Sequence, residues 1–187
     1  MDDSEFHEET LNTQEVYSGR LLHVHRDEVR LPDGKESVRE WIAHPGAVVL
    51  IAQLDNGKLL FERQFRYPLR RIFFELPAGK IDSGEHILDT ARRELREETG
   101  YKARFWRHLA TMHPCIGYSN ERIEIFLARE LTYVGHALDD GEILEVTEMS
   151  LEDALLAVRD GDITDGKTMA ALMWAEKTLC GEWPLPS

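Results

Sequence analysis

Apolar and polar positions divide the chain into a strand-rich first half, one amphipathic stretch in the middle, and mixed elements beyond it. From Val16 onward the period is two. Leu22, Val24 and Arg26 alternate with His23, His25 and Asp27, and Val29 and Leu31 lead into Pro32-Asp33-Gly34-Lys35. Proline presets the first corner of such a turn and glycine relieves the second, so Glu36–Ala43 is predicted to return as a strand. Residues 16–44 thus read as an antiparallel unit. His44-Pro45-Gly46 interrupts the pattern, and Ala47–Leu54 is then almost continuously apolar, as in a strand buried on both faces. Asp55-Asn56-Gly57-Lys58 reads as a hairpin turn with Leu59–Phe65 returning.

Phe73–Ala78 leads into a glycine loop and a helix, and Lys102–Met112 and Arg122–Leu131 are predicted strands around the polar loop His113–Glu121. Glu142–Met149 reads as a short strand. Ser150, with Asp153 three residues on, resembles a capping box for a helix whose buried side is Leu151, Ala154, Leu155 and Val158. Asp165-Gly166-Lys167-Thr168 opens a last helix, whose Met169, Leu172, Met173 and Leu179 are expected in the core. Alternating strands and helices imply an α/β fold with a mixed sheet and helices on both faces.

Composition narrows the function. At 187 residues the chain suits one domain with a full core. A net charge of −13 excludes a nucleic-acid backbone as partner, because nothing offsets phosphate repulsion. A small phosphorylated substrate meets the same repulsion unless cations bridge it to the protein. Residues 1–15 carry Asp2, Asp3, Glu5, Glu8, Glu9 and Glu15 without Lys or Arg, and are expected to be a mobile acidic tail. Cys115 and Cys180 lack metal-type spacing and are expected as free thiols. No apolar run approaches membrane-spanning length and the N-terminus is acidic, so no membrane partner and a cytoplasmic location are expected. His23 and His25 share a strand face but have no evident third metal ligand, which favours an ordinary strand face.

The central stretch, residues 79–101, carries the chemistry. Gly79 and Gly84 permit unusual backbone, Asp82 or Ser83 is expected to cap the helix, and Gly100 to stop it. Leu88, Ala91 and Leu95 form one buried seam at helical spacing. Glu94, Glu97 and Glu98 follow the same spacing, placing three carboxylates within about one turn. As an isolated run such charges would read as a solvated face with surface ion pairs. Packed together they repel unless a cation sits among them, and hard divalent ions want oxygen ligands.

Gly79, five residues, Glu85, seven residues, Arg93-Glu94-Leu95, one residue, Glu97-Glu98, one residue and Gly100 resembles the Nudix box, with Tyr101 where an aliphatic residue is usual. The chain is similar to Nudix hydrolases over roughly residues 17–180. Glu75-Leu-Pro-Ala-Gly79, Gln64-x-Arg66, Arg39-Glu40, His44-Pro45-Gly46, Pro114-x-x-Gly117-x-Ser119-x-Glu121 and Thr164–Thr168 resemble the ADP-ribose pyrophosphatase branch, much of it shared with GDP-mannose-type enzymes. The resemblance implies a Nudix α-β-α sandwich over residues 45–187, with the 16–44 unit exchanged in a homodimer. It implies metal-dependent hydrolysis of a diphosphate linkage, ADP-ribose giving AMP and ribose 5-phosphate. Other nucleoside diphosphate sugars are the alternative substrates, and a non-catalytic nucleotide-binding sensor is the alternative of another class.

The resemblance also implies roles. Glu94, Glu97, Glu98 and the Ala78 carbonyl are the expected ligands of Mg²⁺, with Mn²⁺ as alternative, and Glu97 is expected to be essential to catalysis. Arg93 orients a carboxylate, and Glu85 fixes the loop. A general base must lie outside the packed cluster, and Glu142, then Asp140, is expected to supply it. Arg39, Arg66, Glu75 and Glu121 are the expected substrate contacts.

Overall fold

The computed structural model describes residues 3–135, 138, 141 and 143–186. They fall into two units, Met1–Pro45 with Cys115–Glu121, and Gly46–Pro114 with Arg122–Ser187.

In the first unit, β1 (Glu9–Ser18), β2 (His23–Arg30) and β3 (Glu36–Ala43) form an antiparallel sheet in that order. The β2–β3 turn is closed by the Leu31 N–H donating to the Lys35 carbonyl at 2.8 Å, with Gly34 at φ 83°. The first strand begins at Glu9 rather than Val16, so part of the expected acidic tail is strand. Composition registers what a segment can bury, and β1 is exposed along its whole length. Its hold on β2 is the ladder plus polar cross-strand pairs: Arg30 with Glu9 at 2.6 Å, and His23 with Glu15 at 2.9 Å. His25 stacks on Trp41, so the two histidines serve the sheet. The loop Cys115–Glu121 joins this unit through the Ile42 N–H on the Tyr118 carbonyl and the His44 N–H on Asn120 Oδ1, both at 2.8 Å.

The second unit contains β4 (Ala47–Ala52), β5 (Leu59–Arg66), β6 (Arg71–Glu75), β7 (Ala78–Lys80), α1 (Ile87–Thr99), β8 (Tyr101–Met112), β9 (Ile123–Tyr133), β10 (Leu144–Met149), α2 (Leu151–Asp160) and α3 (Gly166–Leu179). One sheet has the order β7-β4-β9-β8, with β4 and β9 parallel and the other pairs antiparallel. The other is the antiparallel β10-β5-β6. The expected β4–β5 hairpin is reduced to one bridge, Gln53 with Leu59. Both edges of β4 are already taken by β7 and β9, so β5 must pair elsewhere.

The continuous apolar run of β4 has a physical cause. Ala47, Val49 and Ile51 enter a core with Ala154 of α2 and Ala171, Leu172 and Ala175 of α3. Val48, Leu50 and Ala52 enter a second core with Ala91 and Leu95 of α1. Strand β9 is shared likewise, Ile123, Ile125 and Leu127 against Phe126 and Ala128. Each fully buried Leu or Ile here contributes about 1.5–3 kcal/mol.

Helix ends follow their local chemistry. Ser150 caps α2 by accepting the Asp153 N–H at 3.0 Å, and Gly161 closes it at φ 85°. The cap of α1 is His86, whose Nδ1 accepts the Leu88 N–H at 3.3 Å, rather than Asp82 or Ser83. Residues 82–85 are spent on a turn, the Asp82 carbonyl accepting the Glu85 N–H at 3.0 Å, so the helix starts later. Met169 and Met173 are exposed, not core, because the buried stripe of α3 runs through Thr168, Ala171, Leu172, Ala175 and Thr178. Cys115 and Cys180 are free thiols. Among the described residues no helix is long and apolar enough to cross a membrane.

Candidate active site

Helix α1 carries its charged residues beside the stripe that packs on the sheet. Arg93 is their hub. Its Nε and Nη2 donate to the two oxygens of Glu85 at 3.1 and 2.9 Å, and Nη1 donates to Glu94 Oε1 at 2.8 Å and Glu97 Oε2 at 3.1 Å. Nη2 also donates to the Lys80 carbonyl at 3.1 Å, tying the helix to the loop before it. The guanidinium holds the Glu85 carboxyl down at about 2, helped by the Thr90 hydroxyl donating at 2.8 Å. In return Glu85, then Glu94 and Glu97, raise the pKa of Arg93.

Two backbone features fit the strap after β6 against this helix. Glu98 is buried, and its Oε2 accepts the Ala78 N–H at 3.0 Å. Gly79 lies directly under Glu94: a Cβ there would stand 1.8 Å from Glu94 Oε1, so only glycine allows the approach. Ala78, Gly79, Glu94 and Glu98 are thereby brought together, with Glu97 and Glu85 joined through Arg93.

The donors suit a hard divalent cation in type and charge, and Gly79 leaves the Glu94 carboxylate its place against the strap. Among the described residues, however, no three such side chains already converge as a metal cage. Of the expected three-glutamate ligand set, Glu94 and Glu97 share one nitrogen of Arg93, and Glu98 accepts from the Ala78 N–H. Closely spaced carboxylates repel, and the nearest fixed cation is the one they turn to.

A second charged cluster joins β5, β6 and α3. Arg66 donates to both oxygens of Glu75, Nε to Oε1 and Nη2 to Oε2, each at 2.7 Å. Lys167 Nζ also donates to Glu75 and, at 3.0 Å, to Asp165 Oδ2. Burial works to raise the Glu75 carboxyl, but Arg66 and Lys167 outweigh it and hold it below the usual carboxylate range. The Glu75 hydrogen bonds raise Arg66, to which Asp165 and Glu98 of α1 add their fields.

Of the predicted site residues, Arg66 and Glu75 meet each other. Arg39 and Glu121 belong to the first unit. There Arg39 Nε donates to Glu8 Oε2 at 2.8 Å, and Glu121 Oε1 lies 3.8 Å from His44 Nδ1. Glu142 and Asp140 lie outside the described residues. Lys167 as a partner of Glu75, and Asp165 and Thr168 as the residues that hold it there, were not foreseen from the sequence. The only signal was local: an Asp followed three residues later by Thr is a helix start, and a Lys in that first turn gains nothing from the helix dipole.

Residues 43–172 match the NUDIX domain family, and residues 8–42 match the nucleoside diphosphate sugar hydrolase N-terminal domain. The ADP-ribose pyrophosphatase of Bacillus subtilis is 40% identical, over 90% of this chain and 92% of its own length. The methanol dehydrogenase activator of Bacillus methanolicus is 36% identical, over 91% and 94%. In fold, the chain is similar to the crystal structure of an ADP compounds hydrolase, with a TM-score of 0.84, 24% identity and coverage of 94% and 95% of the two chains.

Proposed function

The chain belongs to the Nudix family, and from that premise we propose that it hydrolyses the diphosphate linkage of a nucleoside diphosphate derivative, ADP-ribose first, to AMP and ribose 5-phosphate. The observation that carries the proposal is that, within one unit, a single strap ties both clusters: Leu76 is bonded to Thr168 beside the Arg66–Glu75–Lys167 corner, and Ala78 to Glu98 of the acidic cluster on α1. The similarity to an ADP-ribose pyrophosphatase supports the substrate.

Nudix hydrolases generally need a divalent metal ion. Glu94, Glu97 and Glu98, with the Ala78 backbone, would hold it, and Mg²⁺ is the proposed ion with Mn²⁺ as alternative. Bound there, it supplies Lewis-acid neutralisation of the diphosphate charge. The chain's own residues do the rest. Arg93 keeps Glu94 and Glu97 oriented and Glu85 ionised, Gly79 lets the strap lie against Glu94, and Arg66 offers its guanidinium to the phosphates. Glu142, with Asp140 as alternative, is proposed as the general base, a role that rests on an acid lying outside the α1 cluster in sequence. Arg39 and Glu121 are proposed substrate contacts, the first unit a dimerisation element of a homodimer, and the cytoplasm the location.

A second reading keeps the chemistry and changes the substrate. The similarity to a GDP-mannose pyrophosphatase supports GDP-mannose or another nucleoside diphosphate sugar as the alternative. A product-resolved panel with Mg²⁺ decides: ADP-ribose, GDP-mannose, ADP-glucose, UDP-glucose and NADH. AMP released fastest from ADP-ribose is the expected result. Faster turnover of another sugar nucleotide selects the second reading, and silence with either metal would overturn both in favour of a binding module.

A further inference from the structure

We propose that Lys167, held in the first turn of α3, is the positioning residue that makes Arg66 available to the diphosphate of the substrate; the inference rests on the hydrolase reading above. Glu75 is 3% exposed and accepts from both Arg66 and Lys167. Of the three side chains only Arg66 opens to solvent, at 42% of its side-chain surface against 4% for Glu75 and 15% for Lys167. Its Nε and Nη2 are committed to Glu75, and among the described residues no further hydrogen bond is made by its Nη1. That edge is free to receive a phosphate oxygen.

Charge decides whether it attracts one. Arg66 and Lys167 together balance Glu75 and Asp165. Without Lys167, two carboxylates would surround the single guanidinium, in a chain already carrying −13, and the corner would repel a diphosphate. The position of Lys167 is itself fixed. Asp165 accepts the Thr168 N–H at 3.0 Å and its hydroxyl at 2.7 Å, and Thr168 Oγ1 accepts the Leu76 N–H at 3.0 Å. Those partners, 92 positions apart in sequence, lock the end of β6 to the start of α3. The same strap continues to Ala78 and its bond to Glu98, so one turn of helix registers the basic corner against the acidic one.

The test compares Lys167→Met, Lys167→Arg and the double variant Glu75→Gln with Lys167→Met. ADP affinity in Mg²⁺ is measured by calorimetry, and kcat and KM on whichever nucleoside diphosphate sugar the wild type turns over fastest. Lys167→Met should weaken ADP binding and raise KM about tenfold while kcat stays within about twofold, the signature of lost uniform binding. Lys167→Arg should stay within about threefold of wild type, and the double variant should regain part of the ADP affinity lost in Lys167→Met, because the excess negative charge is gone, without reaching wild type, because an amide cannot accept from both guanidinium nitrogens of Arg66. Unchanged ADP affinity in Lys167→Met, absent binding in the wild type, or an equal fall of kcat and thermal midpoint in all three variants would overturn the proposal. If ADP-ribose is not the substrate, the substrate reading fails while the ADP comparison still decides the role of Lys167.

Discussion

Two charged clusters of the second unit are built as opposites. On α1 one guanidinium, Arg93, stands among Glu85, Glu94 and Glu97. At the β5–β6–α3 corner one carboxylate, Glu75, stands between Arg66 and Lys167. The first keeps a surplus of negative charge, which suits an added cation. The second is balanced by Asp165 and keeps an open guanidinium edge. A diphosphate linkage needs both, because its own charge must be neutralised from one side and oriented from the other. On the proposed reading, the difference in cluster sign, rather than any single residue, divides the labour.

The comparison can be broken most severely at its acidic end. Glu97→Gln should lower turnover by at least about a hundredfold with unchanged thermal midpoint, since the proposed metal ligand is lost without cavity or clash; near-normal turnover in steady-state assays would remove the α1 cluster from the mechanism. Gly79→Ala should come next. The added methyl meets the Glu94 carboxylate, the far end of a flexible side chain, so impaired activity is expected with a loss of no more than about 1 kcal/mol in denaturant unfolding. Arg93→Lys should cost about 10–100-fold in activity, because an ammonium cannot bridge Glu85 bidentately while reaching Glu94 and Glu97.

Acid titration sharpens the same contrast. The carboxyl of Glu85 is lowered from 4.5 to about 2, so its contribution is fully present above pH 4.5 and is lost as pH falls towards 2. A thermal midpoint followed over that window should drop less steeply in Arg93→Met than in wild type; parallel curves would mean that Arg93 does not set Glu85. The smallest effect is reserved for a residue outside both clusters. Met173→Ser should change stability by no more than about 0.5 kcal/mol, since the side chain is exposed, whereas Leu172→Ala beside it should cost about 2–5 kcal/mol.

The α1 cluster was readable because it is local. Glu94, Glu97 and Glu98 lie on one helix whose spacing fixes them relative to each other, and Gly79 and Glu85 sit close by in sequence. The strands of the second unit were readable for the same reason, periodicity being a local property, and β4's unbroken apolar run announced its two buried faces. What failed depended on distant partners. The acidic composition of residues 9–15 could not reveal β2 across from them, and the turn at Asp55–Lys58 could not reveal that β9 and β7 already occupy the edges of β4.

The sequence by itself determined the helix with its carboxylates, the glycines around it, the cap at Ser150, the helix start at Asp165, and the chemistry those residues imply. Only the tertiary structure decided that Arg93 would gather three glutamates into one hub, and that Lys167 would meet Glu75 across 92 positions of chain. Backbone spacing orders neighbours within a turn or a strand. Pairing between distant segments is settled by which edges and buried faces remain open once the cores have closed, and no local pattern encodes that.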